Sequence, residues 1–205
     1  MFNLVSADGY FCGPDGNLDF FLPDKEVDRF AARNTRDFDT VLMGRITYEL
    51  FQAYWPAAEH EPKTSAEDRE IAAFLNRSTK IVYSTTLKDT TWQNTQIAKK
   101  FDPAALLALK ASAGRDIIVF GSGSVVRQLT DAGLIDEYQI LVTPALLGTG
   151  RSLLEGSKGA ELEFLDSQVY RSGNVLHRYA YKGPRTRPSA PDGNARPTKT
   201  PVGKP

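Results

Sequence analysis

Phe120-Gly121-Ser122-Gly123-Ser124-Val125-Val126 closes the apolar run Asp116-Ile117-Ile118-Val119 and opens a helix-like stretch through Leu129. Gly121 and Gly123 carry no side chain, so the backbone here can come close to a ligand. The free N–H groups of a first helical turn and the positive end of the helix dipole favour phosphate oxygens. The same two glycines also suit a tight turn that packs a helix on a sheet, so the stretch acquires meaning from what surrounds it.

Outward from this turn, strand-like and helix-like segments alternate. Residues 2–7 read as a strand, and residues 23–34 as a helix with Val27, Phe30, Ala31 and Asn34 at i, i+3, i+4 and i+7. Residues 39–43 form a short apolar strand, followed by Gly44-Arg45 and a helical segment through Tyr54 that Pro56 is expected to end. Ser65 with Asp68 resembles a capping box, and the next strand covers residues 80–84. Asp102-Pro103 marks another helix start, in a helix ending near Gly114. A helix to about Gly133 and a strand over residues 137–143 follow the glycine turn. Residues 161–170 and 174–181, joined by Arg171-Ser172-Gly173-Asn174, read as an antiparallel hairpin. The order implies an α/β domain over residues 1–182: a mixed, mostly parallel central sheet, helices on both faces, and a C-terminal antiparallel hairpin. From Gly183 prolines alternate with basic, polar and small residues, and residues 183–205 are expected to be a disordered tail.

Composition narrows the function. Lys+Arg and Asp+Glu each number 25, so no net field draws the chain to nucleic acid or an anionic membrane, and any anion site is local. The single cysteine, Cys12, excludes an internal disulfide, and His60 and His177 stand too far apart for a zinc cluster. With no long apolar run, the expected setting is the cytoplasm.

Ligands of such sheets lie beyond the carboxyl ends of the strands. Three of those ends are polar or glycine-rich. Gly44-Arg45-Ile46-Thr47 offers close approach, a bidentate cation and a hydroxyl; at a helix start the dipole disfavours a cation, so Arg45 asks for an anion. Ser84-Thr85-Thr86 supplies hydroxyls, and Gly121-Ser122-Gly123 the anion cradle.

Together, in this order, the three exits resemble the dihydrofolate reductase superfamily, and within it the C-terminal reductase domain of the bifunctional riboflavin-biosynthesis protein and its stand-alone relatives. The likeness begins at Ser6-Ala7-Asp8-Gly9-Tyr10 and is most specific at Leu134-Ile135-Asp136-Glu137-Tyr138, Thr143-Pro144-Ala145-Leu146-Leu147-Gly148-Thr149-Gly150 and Leu153-Leu154. It implies a three-layer dihydrofolate reductase-like fold and an NADPH-dependent reductase of a small heterocyclic, pyrimidine- or pterin-like, or carbonyl-like molecule. It also implies a homodimer. Gly44, Arg45 and Thr47 would hold nucleotide phosphates, Ser84 and Thr85 the adenosine side with its 2′-phosphate, and Gly121, Ser122, Gly123, Ser124 and Val125 the pyrophosphate. Asp8, Tyr10, Leu147 and Gly148 would border the substrate. No acidic residue stands about 20 positions past the glycine turn to take a free 2′-hydroxyl, which agrees with NADPH. Valine at Gly123 is expected to crowd the cofactor with little unfolding.

Two departures bear on the substrate. Tyr10 stands where the riboflavin enzymes commonly carry a lysine, and Asp24 lies one position early for the carboxylate of dihydrofolate reductases. A binding module of the same fold without turnover is therefore the alternative reading.

Overall fold

The computed structural model describes residues 1–112 and 114–185; most of the expected tail, residues 186–205, lies outside them. The strands are β1 (Phe2–Ser6), β2 (Tyr10–Cys12), β3 (Phe38–Gly44), β4 (Thr79–Tyr83), β5 (Thr95–Ala98), β6 (Asp116–Val119), β7 (Glu137–Thr143), β8 (Arg151–Ser152), β9 (Ala160–Val169) and β10 (Val175–Pro184). The helices are α1 (Lys25–Asn34), α2 (Arg45–Gln52), α3 (Trp55–Ala58), α4 (Ala66–Arg77), α5 (Pro103–Ala111) and α6 (Gly123–Asp131).

Local chemistry sets the helix starts. The Asp24 carboxylate accepts from Glu26 N at 2.7 Å, Ser65 Oγ from Asp68 N at 3.0 Å, and the Asp102 carboxylate from Ala104 N and Ala105 N. Each cap satisfies donors that the helix itself leaves open. Pro56 does not end a helix. It sits in the first turn of the short α3, where its missing N–H removes no helical bond.

β3 pairs in parallel with β4 and β6, β4 with β5, and β1 with β7. A parallel bridge between Phe2 and Phe120 joins the two halves, giving the order β5-β4-β3-β6-β1-β7-β10-β9. β10 runs antiparallel to both neighbours, as the hairpin reading required. β2 and β8 form a separate antiparallel pair that braces the β1 exit.

Alternation along β3 divides the core. Val41 and Met43 pack with Val27, Tyr48, Phe74 and Leu75 beneath α1, α2 and α4, whereas Leu42 packs with Leu106, Val125, Val126 and Leu129 beneath α5 and α6. Side chains two apart on a strand share a face, so one buried strand supplies both interfaces and the fold has three layers. The short strands β2, β5 and β8 have no sequence signature of their own; their pairing partners define them. β10 continues to Pro184, past the boundary expected at residue 182.

Candidate functional site

The carboxyl ends of β3, β4, β5 and β6 open into one cleft of about 1090 Å³. It is lined by all ten residues expected to meet a nucleotide: Gly44, Arg45, Thr47, Ser84, Thr85, Gly121, Ser122, Gly123, Ser124 and Val125. Pieces far apart in sequence converge because parallel strands place all their exits along one edge.

Ser122 holds the centre. Its backbone is left-handed, with φ 61° and ψ 63°, and its hydroxyl does not cap α6. Instead Ser122 Oγ accepts from Gly44 N at 2.7 Å and donates to Thr47 Oγ1 at 2.8 Å. The Ser122 carbonyl takes the Val125 and Val126 N–H groups, so the Gly123 and Ser124 amides of the first turn remain for an anion. Gly121 has φ +53°, and a Cβ there would lie 3.1 Å from Thr47 Oγ1, so glycine is required by both conformation and space.

Gly123 is a point of close approach within the protein itself. A Cβ at this position would fall 3.2 Å from the Phe11 ring and 3.3 Å from the Leu153 carbonyl. The valine of Gly123→Val, expected to spare the fold, would need the Phe11 ring and the Leu153 carbonyl to give by a few tenths of an ångström.

Arg45 already has an anion. Its guanidinium binds both oxygens of the Glu49 carboxylate, at 2.9 and 2.7 Å, one turn along α2. A phosphate would share or displace this exposed pair, which is weak in water. Ser84 Oγ accepts from Thr86 N and Leu87 N and so stabilises its own turn.

The four expected substrate residues lie elsewhere. Asp8, Tyr10, Leu147 and Gly148 are not among the residues lining the cleft. The Asp8 carboxylate accepts from Leu147 N, Gly148 N at 2.7 Å and Ser6 Oγ at 2.6 Å, and these bonds hold its carboxyl down at about 2. Asp8 therefore ties the β1 exit to the 147–148 loop as a carboxylate at neutral pH. Asp24 is likewise committed: it caps α1 and accepts from Ser172 Oγ, bonds that lower its carboxyl. Cys12 lines the cleft but is buried, and burial raises its thiol.

Sequence reading missed several lining residues. Lys99, Arg127 and Arg151 join Arg45 as cations along the cleft, against one lining carboxylate among the described residues, Glu155. Lys99 was hidden because β5 has only four residues and no alternation. Phe51, Phe120, Ile71 and Leu18 also escaped notice, and with Trp55 they form an apolar wall of the cleft. Phe51 packs edge-on to Trp55; Trp92 is buried in the core, its Nε1 donating to Asn76 Oδ1. Exposed Ile46 and Leu50, one turn apart on α2, extend this wall.

A family model for the RibD C-terminal domain matches residues 1–176. The chain belongs to the RibD C-terminal domain family. Among individual proteins, it is 27% identical over 184 residues to the uncharacterized protein YyaP of Bacillus subtilis (strain 168), covering 87% of this chain and 92% of YyaP. A solved structure from Shewanella sp. PV-4, named for riboflavin biosynthesis, superposes with a TM-score of 0.66 at 22% identity, covering 88% of this chain and 97% of that one. A pyrimidine reductase-like protein from Corynebacterium diphtheriae gives a TM-score of 0.61 at 15% identity, covering 88% and 90%. These likenesses show the fold of the RibD reductase-type domain. No helix among the described residues is long and apolar enough to cross a membrane.

Proposed function

We propose that the cleft binds NADPH and that this RibD C-terminal-type domain reduces a small planar heterocycle or carbonyl compound, as the pyrimidine reductase-like character of its structural neighbour suggests. The observation that carries the reading is the convergence of four strand exits on one cleft with four cations and one carboxylate along it. That balance suits a ligand with several phosphates.

The residues fit the nucleotide in an ordered way. The free amides of Gly123 and Ser124 at the start of α6, with Arg45 beside them, suit a pyrophosphate. Lys99 with the hydroxyls of Ser84 and Thr85 suits a further phosphate on the adenosine side. NADPH, when bound, supplies a hydride. The Phe51, Trp55 and Phe120 wall offers a dry planar surface against which an acceptor can be held in position.

Titration calorimetry with NADPH and NADH, followed by stopped-flow absorbance with candidate acceptors, tests this. Binding of NADPH and its oxidation above background by a pyrimidine, pterin or dicarbonyl are expected; no heat with NADPH would end the reading.

A second reading has specific support. Asp24, the carboxylate nearest to the acid position of dihydrofolate reductases, is spent on structural hydrogen bonds. A chain that binds NADPH without oxidising it under any of these acceptors would be a nucleotide-binding module. In either reading the protein works in the cytoplasm as a homodimer, which fits the exposure of Phe164 and Val169 on β9, the outermost strand of its sheet among the described residues. Light scattering at defined concentrations gives the oligomeric state.

A further inference from the structure

The cleft borders two different cores. On the side of α5 and α6 its walls belong to the core around Val125 and Leu153, and Arg127, Arg151 and Glu155 stand there, on α6 or in the loop that contains β8. On the side of α1, α2 and α4 its walls belong to the core around Phe2 and Leu75. Among the described residues, the one charged group lining that side is Arg45, at the first position of α2 and paired with Glu49.

Rings pave this second side. Phe120 lies 6.4 Å from Phe2 and 5.9 Å from Phe51, centre to centre, and Phe51 lies 6.1 Å from Trp55. Phe51, Trp55 and Phe120 are only partly buried by the core, so each keeps surface for the cleft it lines. Ile46 and Leu50, one turn apart on α2, carry the apolar surface out to solvent, 63% and 54% exposed. Single exposed apolar side chains need no explanation; a row that continues from an aromatic wall inside a cleft marks a contact surface.

The polar side chains on this side are neutral and already bonded. Thr35 Oγ1 donates to the Ala32 carbonyl at 2.6 Å, and Asn34 Nδ2 donates to Gln139 Oε1 at 2.8 Å. A charged group carried onto this surface would lose water and gain no counter-ion, because the Arg45 guanidinium is held by Glu49 or, with a nucleotide bound, by phosphate. A flat uncharged ring system would gain both dry apolar area and ring-to-ring contacts.

We propose that Ile46, Leu50, Phe51 and Trp55 select a hydride acceptor that is an uncharged aromatic carbonyl compound, its ring system lying where a phosphorylated or carboxylated substituent would find no partner. This rests on the NADPH reading and names the class of the second substrate. The electron balance is that of a carbonyl reduction: the hydride leaves NADPH for the carbonyl carbon, the C=O π pair passes to the oxygen, and solvent supplies the proton, leaving an alcohol and NADP+.

The test is titration calorimetry of 2-acetylnaphthalene and of 2-naphthoate into protein saturated with NADP+, two probes of similar shape that differ in charge. The neutral ketone is expected to bind about tenfold or more tightly than the anion. Leu50→Gln should weaken the ketone about fivefold; Leu50→Lys should weaken it as much and tighten naphthoate, reversing the order. Arg127→Gln, on the opposite side of the cleft, should leave the ketone unchanged. No heat from the ketone, naphthoate bound as tightly in the wild type, unchanged binding in both Leu50 variants, or a loss that falls on Arg127→Gln instead would overturn the proposal. If the wild-type protein takes no NADP+, the functional reading fails separately, and the same pair titrated into the free protein decides the surface: a neutral preference reversed by Leu50→Lys supports it, and equal affinity for the two probes overturns it. Circular dichroism confirms that each variant is folded.

Discussion

Ser122 Oγ accepts the Gly44 N–H at 2.7 Å, joining two strand exits 78 residues apart in sequence. Without that hydroxyl a partly buried amide at the β3 exit loses its acceptor, and the Thr47 hydroxyl loses its donor. Ser122→Ala should destabilise the fold by about 1–3 kcal/mol, the cost of an orphaned donor. Ser122→Gly should cost less, because glycine relieves the left-handed backbone by about 1 kcal/mol while still losing the tie. Urea unfolding of the two variants gives the order; equal losses would mean that the backbone conformation is unstrained.

Arg45 and Glu49 set up a competition. Arg45→Ala should weaken NADPH by roughly 1–3 kcal/mol, the range for charge-assisted bonds to phosphate. Glu49→Gln should leave NADPH binding equal or tighter, since the guanidinium no longer divides its donors between carboxylate and phosphate. Calorimetry decides: weaker binding in Glu49→Gln would show that the carboxylate orients Arg45 for the ligand.

The Asp8 tie predicts behaviour in acid. Its folded carboxyl, at about 2, lies below the ordinary 3.8, so ionisation favours the folded state. The contribution is whole above about pH 4 and disappears as pH falls through 2. In Asp8→Asn this acid-dependent part should be missing, and the Leu147 and Gly148 amides should exchange faster with solvent than in the wild type. Hydrogen exchange at pH 6 measures the second effect; unchanged protection there would detach Asp8 from the loop.

Lys80 predicts behaviour in base. It is fully buried, donates to the Leu75 and Ser78 carbonyls at 2.6 and 2.8 Å, and lies 4.7 Å from the Trp92 ring centre. Burial lowers its amine from 10.5 to about 8. Between these values the unfolded chain holds a proton that the folded protein lacks, so this group makes stability rise with pH from about 8 to 10.5. Lys80→Met should flatten that rise. Thermal unfolding at several pH values, wild type against variant, reads the difference directly.

Much of this architecture is written locally. Ser65 and Asp102 announce helix starts because a side-chain oxygen just ahead of a helix satisfies its open donors wherever the chain folds. The β3 and β7 runs, and the turn at residues 171–174, are equally legible, since burial on both faces or reversal of the chain demands particular residue types. The glycine exits followed from the same logic, and so did the resemblance that joined them.

What the amino-acid order left open was every relation made at long range. β2, β5 and β8 exist because partners distant in sequence supply their hydrogen bonds, and so Lys99 and Arg151 could not be placed on the cleft beforehand. Asp8, expected beside the substrate, also holds a loop 139 residues away; Arg45 looked unpaired and has Glu49. A sequence specifies which groups are available and which local conformations they favour. Only the packed sheet, by fixing which strand ends are neighbours, decides which of those groups neutralise one another and which remain free to meet a ligand.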